Sequence, residues 1–340
     1  MILEIRKSVM SSQTKELFNN IIIYIHRYYL PSCYVVSNVG NLLSIFIFLK
    51  RSWRKNVCVF YFLVCLVINL GYTQSSILPM ILNNNLKINL QNSNRLICKI
   101  FYYVSYVFSR YLPTILIFAS IDRLLISSQN VDTRLYSSRR LAYFSVGINS
   151  LFWLIYYVHI LVKVNIIEMY PNVFACYYDL SENYIYFLKF STVVINLSST
   201  TVLIILFILT FKNVRQIQSV PRQQRQQIRT MTKKDFQLLR CLYAYNIAYV
   251  IFSSPSAIFG AYTAIRTSPD LGSFQSVIEN FVSPLCVCIY QISYCVGFFI
   301  FLSISKSFRQ EIKRMFSSVH ERTLAPTLDI EPNIAKRDPL

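Results

Sequence analysis

Two chemically capable landmarks bracket one apolar stretch, CKIFYYVSYVFSRYLPTILIFASIDR, running from Cys98 to Arg123. Cys98 can form a disulfide in an oxidising compartment. At the other end, Asp122 and Arg123 set an acid beside a permanent cation, a pairing that can serve as a charge switch. A helix rising about 1.5 Å per residue would hold the two landmarks roughly 36 Å apart, one at each face of a bilayer. No catalytic constellation accompanies them. His26, His159 and His320 are far apart along the chain, and no cysteine pair has metal-ligand spacing with histidines nearby. Neither an enzyme, a metal nor a cofactor is expected.

Composition says what must position these residues. Of 340 residues, 54% are hydrophobic and only 14% charged, and the mean hydropathy is +0.42. Those values suit a membrane protein rather than two soluble domains. The 25 Phe and 25 Tyr, against 6 Gly, favour helices over a turn-rich barrel. A net charge of +19 raises the question of nucleic acid. The basic residues, however, fall in short runs between apolar blocks, as in loops beside anionic lipid, so no nucleic-acid partner is expected. Cys58, Cys65, Cys241, Cys286, Cys288 and Cys295 lie inside apolar blocks, where a thiol acts as a small hydrophobe.

Seven apolar blocks follow in turn, at about 28–49, 57–82, 98–126, 141–162, 184–211, 236–262 and 277–303. Each is long enough to cross a bilayer as a helix. Lys and Arg cluster after the first, third, fifth and seventh blocks and are sparse after the others, which predicts an exterior N-terminus and a cytoplasmic C-terminus. The expected organisation is an extracellular arm over 1–27, an all-α seven-helix bundle over 28–303, an amphipathic helix over 304–316 and a disordered cytoplasmic tail over 317–340. Between the fourth and fifth blocks lies a long exterior loop carrying Cys176. Asn196-Leu197-Ser198 falls within a helix and should carry no glycan. The spans hold almost no charge near the bilayer centre and the halves show no self-similarity, which disfavours a transporter or channel.

This topology, with a cysteine opening the third helix and Asp-Arg closing it, resembles the rhodopsin-like G-protein-coupled receptors over about residues 35–316. Gly40-Asn41 is similar to the family's helix-one Gly-Asn pair, and Asn69 stands where the family usually has an aspartate. Asp122-Arg123-Leu124 resembles the Asp-Arg-Tyr motif. Trp153 resembles the helix-four tryptophan, Pro255 the helix-six kink proline, and Phe308-Arg309 the start of the amphipathic helix. Two signatures depart. Ser253 replaces the tryptophan expected before Pro255, and Gly297-Phe298-Phe299-Ile300-Phe301 replaces Asn-Pro-x-x-Tyr. Asn69, Leu112 and Gly297 fill positions that commonly hold sodium in the family but supply no carboxylate for it.

The resemblance implies a plasma-membrane receptor that partners an extracellular ligand and a heterotrimeric G protein. It implies a Cys98–Cys176 disulfide, with Cys33 the other cysteine near that side. It also implies a switch in which Arg123 pairs with Asp235 at rest and releases to admit a G-protein segment. The plainer role for Asp235 is an N-cap of helix six. Arrestin would bind a tail phosphorylated at Ser317, Ser318, Thr323 or Thr327.

Ser105 stands where amine receptors carry an aspartate, and Gln291 where opsins carry the retinal lysine, so neither ligand fits. The other cleft candidates, Tyr102, Tyr106, Ser109, Tyr249, Phe252, Tyr262 and Tyr294, together with Ser105 and Gln291, make an aromatic, neutral-polar lining. It suits a peptide end or a neutral small molecule. Glu168, Asp179, Glu182 and Glu279 could receive a basic peptide. A peptide receptor is the leading expectation; a small-molecule receptor, a non-signalling degenerate receptor and a transporter are its alternatives.

Overall fold

Backbone polar groups in lipid have no water to bond, so a spanning segment must satisfy them within itself. The computed structural model, which describes residues 2–127, 137–171, 173–219, 233–266 and 274–324, meets that demand with helices. Seven are long and apolar enough to cross a membrane: α1 (Gln13–Phe48), α2 (Val57–Leu86), α3 (Arg95–Ile126), α4 (Arg139–Lys163), α5 (Glu182–Asn213), α6 (Lys234–Ile265) and α7 (Gln275–Tyr294). An eighth, α8 (Lys306–Leu324), follows α7. Side chains ahead of the spans start several of them. Asn56 caps α2 by accepting from the Cys58 N–H at 2.8 Å, Asn94 caps α3 from Leu96 at 2.8 Å, and Ser138 caps α4 from Leu141 at 3.3 Å.

Helix α3 is the central post, packed against α2, α4, α5 and α6. Large apolar side chains such as Phe144, Ile155, Phe190 and Ile251 face outward, as lipid-contacting surfaces require. Close helix approach is bought with small residues. At Gly40 a Cβ would lie 2.8 Å from the Phe298 Cβ, so any side chain there would push α1 off the segment that continues α7. At the Arg123 end, Phe48 meets Phe301 and Phe308 at ring-centroid distances of 5.0 and 5.6 Å, which fastens α8 beneath α1. Lys50 adds an ion pair to Glu311 at 2.8 Å.

Three features differ from the sequence reading. The arm before residue 28 is helical from Ile2 and forms the first part of α1, which passes through a π-helical turn at Ile25–Tyr29. No Pro or Gly interrupts it, and Phe18 stacks on Phe281 of α7 at 4.2 Å. The loop carrying Cys176 is an antiparallel hairpin, β1 (Val164–Tyr170) and β2 (Val173–Tyr178), pairing Ile166 with Cys176. Its β-branched and aromatic residues flank the turn around Pro171. Helix α8 runs on to Leu324, past the boundary set at 316. Thr327, and the basic run from 220 to 232, lie outside the described residues.

Candidate functional site

The site is arranged in levels along α3. At its first turn Cys98 is disulfide-bonded to Cys176 of β2, with Cα atoms 5.7 Å apart. Asn92 steadies the strand: its Oδ1 accepts from the Cys176 N–H at 2.8 Å, and its amide donates to the Phe174 carbonyl at 3.3 Å. The Tyr102 hydroxyl donates to the Cys176 carbonyl at 3.2 Å. Lys163 donates to Asp179 at 2.9 Å, and that bond holds the Asp179 carboxyl below its usual range. Across the same mouth Glu279 pairs with Arg266 and accepts from Tyr262 at 2.8 Å. Two acids expected to receive a basic peptide are therefore matched by the chain's own cations.

One level deeper, the candidate cleft residues separate. Ser105 donates to the Ser75 carbonyl at 2.6 Å and Ser109 to the Tyr106 carbonyl at 2.8 Å, so both hydroxyls serve backbone. Tyr262, 41% exposed, belongs to the rim. Phe252 is half-buried on α6. Gln291 is buried, its Nε2 3.5 Å from the Met80 Sδ and its Oε1 without a partner. Tyr249 and Tyr294 are buried nearer the centre, where Tyr294 stacks on Tyr72 at 3.8 Å.

Proline explains how α7 meets α3. Pro113 lies inside α3 and has no N–H to give the Ser109 carbonyl one turn earlier. That freed carbonyl accepts from Tyr290 at 3.0 Å and from Tyr294 at 3.3 Å, while the two hydroxyls lie 2.8 Å apart. A helix defect has become a docking point for α7. Beside it sits Arg110, only 7% exposed, halfway along α3. Its Nη1 donates to Asn196 Oδ1 on α5, and Tyr157, Tyr290, Tyr249 and Tyr294 contribute to its electrostatic surroundings. Its Nε has no hydrogen-bond partner, and no carboxylate forms an ion pair with it among the described residues.

Beyond Arg110 the helices are joined by amides. Asn69 donates to the Tyr245 hydroxyl at 2.8 Å and to Asn41 Oδ1 at 3.3 Å. Asn41 and Ser37 both donate to the Tyr294 carbonyl, each at 3.2 Å, where α7 tightens to a 3-10 turn over Ile292–Tyr294. The Trp153 indole and the Asn149 amide share Thr114 of α3 as acceptor, at 3.1 and 3.0 Å.

The family model described as 7 transmembrane receptor (rhodopsin family) matches residues 40–318. The chain belongs to that family. No individual curated protein matches it significantly.

In this receptor the Asp-Arg pair is a buried ion pair. Arg123 is 1% exposed and donates through Nε and Nη2 to Asp122 Oδ2, the Nε bond measuring 3.0 Å. Ser137 donates to the other Asp122 oxygen at 2.5 Å, and Arg123 Nη1 has no partner. The resemblance implied an Arg123–Asp235 pair. Asp235 does add to the field on Arg123, but in this structure it accepts from the Asn56 amide while the ion pair of Arg123 is with Asp122. Contact between α3 and α6 passes instead through Asn246, which donates to Ser120 Oγ at 2.8 Å. Near Pro255, Ser253 is buried where a tryptophan was expected, and Ser254 donates to the Val250 carbonyl at 2.5 Å.

Sequence reasoning missed Arg110, Pro113, Tyr290, Asn246 and Tyr245. It read the lining as neutral and the spans as almost uncharged; Arg110 corrects both. The signal was present: one cation twelve residues after Cys98 and thirteen before Arg123 falls at mid-bilayer.

Proposed function

We propose that this receptor lies in the plasma membrane with its N-terminus outside, binds an extracellular ligand at the Cys98 end of the bundle and activates a heterotrimeric G protein at the Arg123 end. The observation that carries the reading is the buried Arg123. A guanidinium with one nitrogen unpartnered, held by its neighbour Asp122, is a stored donor that release would present to a partner segment. The clustering of Lys and Arg at that end supports a cytoplasmic orientation and attraction to anionic lipid. A peptide end is the ligand we favour, because a hairpin-walled mouth leads to a tyrosine-rich interior. Asp235 would take part in the switch through α6, and phosphorylated Ser317, Ser318 or Thr323 would recruit arrestin.

The test is G-protein activation in cells expressing the chain, screened with a peptide library, with an N-terminal tag read on intact cells. A peptide response that Arg123→Ala abolishes at unchanged surface level supports the proposal. A response that survives Arg123→Ala, or a tag reachable only after permeabilisation, contradicts it.

A further inference from the structure

A guanidinium at the centre of a membrane-spanning helix is costly, and one kept there is expected to serve a site. Arg110 meets that description. It is 7% exposed, twelve residues from Cys98, and therefore roughly 18 Å below the disulfide at 1.5 Å per residue. Its Nη1 donates to the neutral Asn196, whose Oδ1 cannot cancel a full charge, and it also bonds the neutral phenol of Tyr157. Its Nε is buried and unpartnered. Phenols from α4, α6 and α7, those of Tyr157, Tyr249, Tyr290 and Tyr294, stand around it. The hydroxyls of Tyr290 and Tyr294 are engaged by the Ser109 carbonyl, which leaves the phenols of Tyr157 and Tyr249 to donate beside the cation. What it lacks, among the described residues, is an anion.

We propose that Arg110 is the anchor for a carboxylate carried by the ligand, with the phenols of Tyr157 and Tyr249 as its auxiliary donors. A monoanion matches the single positive charge, whereas a phosphate dianion would leave a net charge in a low-dielectric interior. The planar fork of arginine suits two carboxylate oxygens. The depth, roughly 18 Å below the disulfide, calls for a slender group leading the way. The C-terminal carboxylate of an extended peptide and the head of a small organic acid share that chemistry. The inference deepens the proposed ligand-binding function and rests on its placing the ligand at the Cys98 end.

The experiment uses the full chain, purified into nanodiscs, and reads thermal unfolding rather than signalling. The probes are short peptides as free acids and as C-terminal amides, and straight-chain monocarboxylates with their methyl esters. Free acids should raise Tm by a few degrees where amides and esters do not. Which set responds tells a peptide terminus from an organic acid. Arg110→Gln should weaken acid binding about 30-fold or more, and Arg110→Lys should retain part of the selectivity. Acids and their uncharged partners shifting the wild type equally, or no probe shifting it, would overturn the proposal. So would acid selectivity that persists in Arg110→Gln. Should that variant fail to fold, the acid-against-ester comparison on the wild type and Arg110→Lys still decides. Acid-selective binding without nucleotide exchange would remove the coupling proposal and leave this one standing.

Discussion

Asn246 of α6 donates its side-chain amide to Ser120 Oγ of α3 at 2.8 Å, three residues from Arg123, with both residues buried. Ser120 in turn donates to the Leu116 carbonyl at 2.7 Å, so its lone pair is oriented toward α6. In a bundle where lipid gives helices no hydrophobic reason to associate, such polar contacts help decide which helix faces meet. This contact is what ties α6 beside α3, a role the sequence resemblance assigned to Arg123 and Asp235.

The Ser109 carbonyl, freed by Pro113, should show shared responsibility between its two donors. Tyr290→Phe and Tyr294→Phe should each cost about 0.5–1.5 kcal/mol, because the other hydroxyl still serves the carbonyl. The double variant should cost more than their sum, since it strands a buried acceptor. Thermal unfolding of all four forms in nanodiscs checks this; strictly additive losses would show that the two hydroxyls act independently.

Cys98→Ser and Cys176→Ser should each lower stability by about 2–5 kcal/mol, and the double variant should match either single one. Hydrogen exchange should locate the loss in the hairpin and the first turn of α3. Protection unchanged there would mean that Asn92 and Tyr102 hold β2 without the covalent bond.

Much of this architecture was written in block-scale properties. Apolar length and loop charge are averages over about twenty residues, and they located seven spans and the landmarks at their ends. The same averaging hid Arg110, whose single charge is diluted by the aromatic residues around it. It also hid the hairpin, because a seven-residue strand is shorter than any membrane-scale window. Which acid Arg123 would choose was not legible for another reason. Asp122 and Asp235 are both chemically competent, and only the packing of α2 against α6, with Asn56 reaching Asp235, separates them.

Acid should loosen α8. The hydrogen bond from Lys50 holds the Glu311 carboxyl below its usual range. A carboxyl depressed in the folded state stabilises it above the ordinary glutamate pKa of about 4.3, and that contribution fades as pH falls through the folded value. Hydrogen exchange of α8 amides should therefore quicken below about pH 4 in the wild type. In Lys50→Met, which removes the main cause of that depression, α8 should already exchange faster at neutral pH and quicken less on acidification. Identical profiles for the two would show that Phe308 alone holds the helix.

Basal guanine-nucleotide exchange, which needs no identified ligand, tests the coupling account most directly. It would be measured for the wild type, Asn246→Leu and Asn246→Leu with Arg123→Ala, all at matched surface level. Losing the buried tie to Ser120 should shift the α6 equilibrium by about 1 kcal/mol, a rise in basal exchange of about five-fold. Adding Arg123→Ala should return exchange to background. Exchange that does not rise in Asn246→Leu, or a rise that survives the loss of Arg123, would contradict a receptor that signals through this end of α3.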